Sequence, residues 1–523
     1  MLHAEKDRGR LLTAGKTQHE ERGRTLGAGC ALRYDSRVPT YHVENFGCRA
    51  TQADGAALER QFESRGLNPA SAAQADLVVL NTCTVTSSAD QDARAAIRRV
   101  QRQNPTAKII VTGCYAQRAP EEIAALPGVA AVIGNSHKHQ LAEIVLEETT
   151  RSNTSFLPLA ALTENRELRT ENWLFVSDIF AHTELLAAPV FESANHESAN
   201  HESGRTRPNL KVQDGCDNRC SFCVIPSVRG QSRSLPLAQV IREMNALVAA
   251  GFREVVISGI NLGRWGRDLA VSSQRSAISE DLPREGEGGK LCFESLIRAI
   301  LAETQLEKLR ISSVEPMDWT DELIELVASS PRIAKHAHVP LQSGSDAVLR
   351  RMHRKYRPWH YREKIEKIHA AMPSAAIGAD VMAGFPGETN AEFEATRRLI
   401  AELPFTYLHV FTYSARPATP AATLPNQVPV QLARERNKIL RDLAAEKKLA
   451  FMRSFIGKPL EAITLNVTHR NSDGEFTEAL TDNYQKLYLK GRHDPNRWIA
   501  AWIEGVQDGV LVADLFPANS PTN

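Results

Sequence analysis

No apolar run in the 523-residue chain reaches the roughly 18 residues that a membrane-crossing helix needs, so no span is expected. The charged opening "MLHAEKDRGRLLTAGKTQHEERGR" lacks the apolar core of a secretory signal. Without that core, Cys30 in "TLGAGC" does not make a lipoprotein cleavage site. A charge excess is missing too: 63 Lys and Arg against 62 Asp and Glu leave +1. Bulk charge therefore argues for no nucleic-acid partner, and local basic patches would have to carry one. Cysteine is scarce, with eight in all. In the cytoplasmic, reducing location expected here, clustered cysteines point to metal or catalysis rather than disulfides. What is present, 42% hydrophobic and 24% charged residues, is the balance of a soluble globular protein, and the length favours about three domains.

Residues 1–38 show no steady hydrophobic period and read as a flexible extension. From 39 to 150 a β-rich run is followed by a helical pattern three times, at "YHVENFGC", "DLVVLNTC" and "KIIVTGC", with "VAAVIG" as a further strand. Such alternation predicts a parallel α/β sheet. Residues 151–206 read as a linker or insertion, and the tandem "ESANHESANHES" there gives His196 and His201 no stable site. Between 207 and 440 six strands are expected in "NLKVQDG", "EVVISGIN", "KLRISSVEP", "HAHVPLQ", "AAIGADVMAG" and "YLHVFTYS", separated by helices. That describes a partial β/α barrel with its chemistry on the loops after the strands. Polar residues 271–290 are a loop insertion. Short strand-like runs across 441–516 predict a small all-β barrel, and 517–523 a tail.

The stretch "GCDNRCSFCVIP" packs Cys216, Cys220 and Cys223 into one loop after the first barrel strand. A structural zinc site would need a fourth ligand, and none lies nearby in sequence. Three thiolates suit an iron–sulfur cluster with one iron open to a small molecule. Cys48, Cys83 and Cys114 are far apart in sequence, yet each ends one of the three N-terminal strand runs. Parallel strands end on one edge, where α/β folds bind ligands, so these thiols can converge as a second trio. Gly47 and Gly113 beside them permit close backbone approach. Cys30 and Cys292 lack such a setting.

C-x-x-x-C-x-x-C with the aromatic Phe222 resembles the radical S-adenosylmethionine superfamily. Three dispersed cysteines, such a barrel and a terminal β domain together resemble the methylthiotransferases over about residues 40–515. "NTCTVTSSADQDARAAIRR", "FCVIPSVRGQSRS", "RISSVEP" and "HVFTYSARPATPAA" are similar to the MtaB-type branch, which acts on N6-threonylcarbamoyladenosine next to the anticodon of tRNA. The resemblance implies two [4Fe–4S] clusters, one held by Cys48, Cys83 and Cys114 and one by Cys216, Cys220 and Cys223. It also implies S-adenosylmethionine on the open iron of the second, tRNA as partner, and a donor each of electrons and sulfur. The terminal barrel would be a TRAM domain, an RNA-binding module. C2 of adenine is an unactivated aromatic C–H, which gives polar acid/base catalysis little purchase and makes a radical route chemically sensible.

"ISGIN" falls where the superfamily has Gly-Gly-Glu, and keeps only Gly259. Glu315, Gln342 and Asp380 at strand ends, with Phe222 and Gly259, are the expected cofactor contacts. For RNA the expectations are Arg229 and Arg233 after the cysteine loop and Tyr484, Lys486, Lys490 and Arg492 in the terminal domain. The helix carrying Arg94, Arg98, Arg99 and Arg102 and the stretch "RRMHRKYRPWHYR" are further basic faces. The competing readings are a methylthiotransferase for isopentenyladenosine or a ribosomal-protein aspartate, and a non-catalytic iron–sulfur RNA-binding protein.

Overall fold

A computed structural model describes residues 38–154, 173–181, 206–269, 291–471 and 474–516. The expected extension up to residue 37, His196 and His201, the 271–290 insertion and the tail lie outside the described residues.

The N-terminal region builds a six-stranded sheet from β1 (Thr40–Asn45), β2 (Asn68–Pro69), β3 (Leu77–Thr82), β4 (Lys108–Gly113), β5 (Val129–Gly134) and β6 (Trp173–Phe175). Its order is β2-β1-β3-β4-β5-β6, and every pair is parallel. "LVVLNT" is buried at every position, as expected of a strand covered on both faces. Val78, Leu80 and Val111 pack with Ile97 on one face; Val79, Ile110 and Ile133 pack with Leu58 and Phe62 on the other. The edge strands β2 and β6 were not foreseen; two or three residues carry too little pattern to read.

All six expected barrel strands form. β7 (Asn209–Lys211) is followed by a short antiparallel pair, β8 (Gln213–Asp214) and β9 (Arg233–Ser234), which brackets the cysteine loop. β10 (Glu254–Ser258) pairs in parallel with β7 and with β11 (Lys308–Ile311). β12 (His336–His338), β13 (Ala376–Ala383) and β14 (Tyr407–Thr412) form a second parallel set. Single bridges, Leu309 to Ile333 and Ser313 to His338, continue one set into the other. One apolar core runs through both, from Leu210 and Val255 to Ile377 and Val381.

The helix Val430–Arg453 leads into a closed barrel of β15 (Pro459–Asn471), β16 (Gly474–Thr481), β17 (Lys486–Lys490), β18 (Trp498–Gln507) and β19 (Val510–Leu515), in the order β15-β16-β17-β19-β18. Its interior alternates small and large side chains, including Ala462, Ala479, Leu487, Ile503 and Leu511. The turn after β16 docks on the N-terminal ends of the large barrel's strands. There Arg310 donates to the carbonyls of Thr481 (3.3 Å) and Asp482 (3.0 Å), and Asn483 donates to that of Ser374 (3.0 Å). In β/α barrels that end serves stability, which leaves the opposite end for chemistry.

Candidate functional site

Cys48, Cys83 and Cys114 follow β1, β3 and β4, which are adjacent in the sheet. Gly47 and Gly113 have φ of +104° and +99°. A Cβ on Gly47 would lie 2.6 Å from that of Cys83, and one on Gly113 2.3 Å from the Thr82 carbonyl oxygen. Only glycine lets the strand ends close in this way. Burial, then the neighbouring Cys114 and Cys48, push the Cys83 thiol up to about 12. Three thiols at the ends of adjacent strands are a donor set that an iron–sulfur cluster would fit.

In the barrel loop, burial, then Cys220 and Cys216, push the Cys223 thiol up to about 12. Each neighbouring sulfur is met by a donor: Arg354 reaches Cys220 Sγ at 3.2 Å, and the Asn218 backbone N–H and Asn261 Nδ2 reach Cys216 Sγ at 3.4 and 3.6 Å. Arg354 also pairs with Glu315, and both line a small cleft with Cys220, Asn218, Arg264 and Tyr356. Ser258 Oγ, Asn261 Oδ1 and Gln342 Oε1 are buried without a hydrogen-bond partner among the described residues. All three lie at the C-terminal ends of barrel strands, and such orphaned acceptors fit a ligand that brings donors, as an amino acid ammonium does.

The two trios belong to one interface. The short helix Ile225–Arg229 begins two residues after Cys223, and Val224 before it and Val228 within it pack against Cys114. Asn135 Nδ2 donates to the Val228 carbonyl (2.7 Å) and to Cys114 Sγ (3.5 Å).

Family models match in two places: the Uncharacterized protein family UPF0004 over residues 40–134, and the Radical SAM superfamily over 210–400. The threonylcarbamoyladenosine tRNA methylthiotransferase MtaB of Bacillus subtilis is 35% identical, over 87% of this chain and 92% of its own. The MtaB of Aquifex aeolicus is 33% identical, over 88% and 99%. The chain belongs to the radical SAM methylthiotransferases. A tRNA-2-methylthio-N(6)-dimethylallyladenosine synthase of Novosphingobium aromaticivorans is also 33% identical, over 81% and 86%. Among solved structures, the radical S-adenosylmethionine methyltransferase TsrM of Kitasatospora setae superposes with a TM-score of 0.51 at 16% identity, over 77% of this chain and 84% of that one, a likeness of fold. The family's cofactors are two [4Fe–4S] clusters and S-adenosylmethionine, and the donor sets fit them: two trios of thiols, and buried acceptors without partners beside one of them.

The other residues expected to serve this methylthiotransferase divide. Phe222 packs edge-on against Phe385, at 6.4 Å between rings. Gly259 makes room for Gln213, whose Oε1 accepts from the Asn261 backbone N–H at 2.7 Å. Gln342 sits at φ +61°, and its backbone N–H donates to the Asp380 carbonyl (2.8 Å). Burial works against the charge on Asp380, but His338 and His409, 3.2 and 3.3 Å away, hold its carboxyl well below the usual range.

Two RNA expectations need correction. Arg229 is 2% exposed and ion-paired with Asp54 and Asp214, so it has no face to offer a phosphate. Tyr484 is committed to the domain junction: Arg49 donates to its hydroxyl at 3.0 Å, the Arg310 guanidinium lies 5.4 Å from its ring, and the His336 ring packs at 4.6 Å. Lys486 and Lys490 are half-exposed but pair with Glu478 (2.5 Å) and Glu504 (2.7 Å), whereas Arg492 is exposed. Arg233 is half-buried beside the cysteine loop. Arg94 and Arg99 pair with Glu122 and Glu44; Arg98 and Arg102 are exposed. In the basic stretch, Arg351, Arg357 and Arg362 pair with Glu392, Asp346 and Glu402, and Arg354 is the buried partner of Cys220. The role of Arg354 was hidden by its basic neighbours. Ser258 and Asn261 were also missed, and their place at the end of β10 was the available signal.

Proposed function

We propose that this chain converts N6-threonylcarbamoyladenosine, next to the anticodon of tRNA, to its 2-methylthio derivative. The observation that carries this reading is the pair of thiol trios facing one interface in a chain that is a third identical to MtaB enzymes along most of its length. Cys216, Cys220 and Cys223 would hold the cluster that meets S-adenosylmethionine; Cys48, Cys83 and Cys114 would hold the one that carries the sulfur. When bound, these groups supply reductive cleavage of S-adenosylmethionine and a sulfur that can be methylated and placed on carbon.

The chain's own side chains position and shield. Arg354 donates to the Cys220 sulfur and fixes Glu315 at the cleft. Gln342, Asn261 and Ser258 offer acceptors to the methionine ammonium. Asp380, Gly259 and Phe222 complete the lining. In this reading residues 39–150 form the sulfur-handling domain, 207–440 the radical barrel and 441–516 the RNA-binding barrel. Arg233, Lys486, Lys490 and Arg492 then meet phosphates. The enzyme would work in the cytoplasm with an electron donor and a sulfur donor. Among the described residues no helix is long and apolar enough to cross a membrane.

The test is mass spectrometry of tRNA nucleosides from a strain lacking the protein and from the complemented strain. Loss and return of 2-methylthio-N6-threonylcarbamoyladenosine is the expected result. If that nucleoside is unchanged and the 2-methylthio-isopentenyl product is lost instead, the substrate assignment is wrong.

A further inference from the structure

Five charged side chains lie together, sealed from water, where the sheet domain meets the barrel. Asp54 comes from the helix after Cys48, Lys138 from the turn after β5, Lys211 from β7, Asp214 from β8, and Arg229 from the helix after Cys223. None is more than 6% exposed. Lys138 Nζ lies 3.0 Å from Asp54 and 3.1 Å from Asn81 Oδ1; Lys211 pairs with Asp54 and, at 2.8 Å, with Asp214. Arg229 reaches Asp54 at 3.0 Å and both oxygens of Asp214 at 3.0 and 2.9 Å.

Among these five side chains three basic groups face two carboxylates, an excess of one. A buried charge without its partner costs several kcal/mol. The dispersed trio adjoins the network: Asp54 lies on the helix that starts at Cys48, and Val228, next to Arg229, packs against Cys114. Burial opposes the charge on Arg229, yet Asp214, Cys114, Asp54 and Cys48 hold its pKa well above the usual value. Burial likewise lowers Lys138, with Asp54 and Cys114 opposing it. The Arg229 Nε–H is also buried with no acceptor among the described residues.

We propose that this network is the built-in counter-charge of the cluster held by Cys48, Cys83 and Cys114, and that Lys138 and Arg229 are positioning residues that set its reduction potential and join its assembly to the docking of the sheet domain on the barrel. The signs match: three thiolates on a doubly positive [4Fe–4S] core carry one net negative charge, and the five-residue network holds more basic than acidic groups. Because the five residues come from both domains, docking completes the network. At the barrel trio the cation that meets a sulfur, Arg354 at Cys220, is itself paired with Glu315.

The inference rests on the proposed assignment of a cluster to the dispersed trio, and the experiment separates the two. Full-length protein with Cys216, Cys220 and Cys223 replaced by Ala leaves only the dispersed trio to load. After anaerobic reconstitution, iron and sulfide per chain and the midpoint of an EPR-monitored redox titration are measured in this background. Lys138→Met removes a cation and should lower the midpoint; Asp54→Asn removes an anion and should raise it. Each should change the ratio of reduced to oxidised cluster about tenfold at fixed poise, which is about 59 mV for a one-electron couple. Lys138→Arg keeps the charge and should restore the parent value, which a purely packing role would not require. Shifts of the same sign in both variants, or no shift in loaded protein, overturn the inference. If the background variant takes up no cluster, the assignment itself fails and the inference falls with it.

Discussion

The two thiol trios reach similar chemistry by opposite constructions. The barrel trio is local: eight consecutive residues carry all three sulfurs on one loop bracketed by a two-residue strand pair, and Arg354 arrives from outside to meet one of them. The sheet trio is global. Its sulfurs come from three strand ends spread over 67 positions, and their convergence depends on parallel register and on two glycines at positive φ. A loop can be re-formed around its ligands, whereas a sheet edge has to be right before any ligand arrives. The sheet trio should therefore be the more sensitive to backbone change, and the barrel trio to loss of single side-chain contacts.

The largest effect that sharpens this contrast is expected at Gly113. Ala there must adopt φ +99° with its Cβ against the Thr82 carbonyl, a cost of about 2–3 kcal/mol in strain alone. Gly113→Ala should lose the iron of the sheet trio and keep that of the barrel trio, read as iron per chain in backgrounds lacking one trio or the other. Equal loss from both would break the distinction.

Arg354→Met is the reciprocal change. It leaves Cys220 without its donor and Glu315 without its partner, at a cost of about 2 kcal/mol, because Glu315 keeps some access to water. Cluster uptake by the barrel trio should fall while that of the sheet trio is unaffected. Uptake unchanged in the barrel trio would remove Arg354 from the account.

The smallest effect concerns a buried carboxylate outside both sites. Glu243 on the helix Leu237–Ala249 is 1% exposed, with one oxygen unpartnered, and burial pushes its carboxyl up from 4.5 to about 7 against Arg60 and Arg242. The native state keeps this proton up to pH 7 while the unfolded chain releases it from 4.5 upward, so stability falls as pH rises through that window. Glu243→Gln should gain about 1–2 kcal/mol over the parent at about pH 8 and nothing at about pH 4, measured by thermal unfolding. A gain that is the same at both pH values would exclude the titration.

Much of this was legible in the chain itself. "CDNRCSFC" announces its trio by spacing, and the six barrel strands by apolar runs before polar loop residues. The dispersed trio was reachable because each cysteine ends a strand run and parallel strands end together. The surfaces were misread where charge was taken for exposure. Arg229 and Arg354 sit in basic stretches, but their partners Asp54, Glu315 and Cys220 come from distant segments that only the fold brings near. Tyr484 misled in a different way: the phrase around it resembles an RNA-binding motif, yet its ring closes the junction between the two barrels. A usable warning was present in "NLKVQDG", where a lysine inside a core strand requires a buried anion.

The most direct test of the central claim, that the two trios hold separate clusters with separate tasks, compares Cys83→Ala with Cys223→Ala in reconstituted full-length protein supplied with reductant, S-adenosylmethionine and tRNA. 5′-Deoxyadenosine and methylthiolated nucleoside are measured together. The account predicts that Cys83→Ala still forms 5′-deoxyadenosine but no methylthio product, and that Cys223→Ala forms neither. Methylthio product from Cys83→Ala, or 5′-deoxyadenosine from Cys223→Ala, would contradict it.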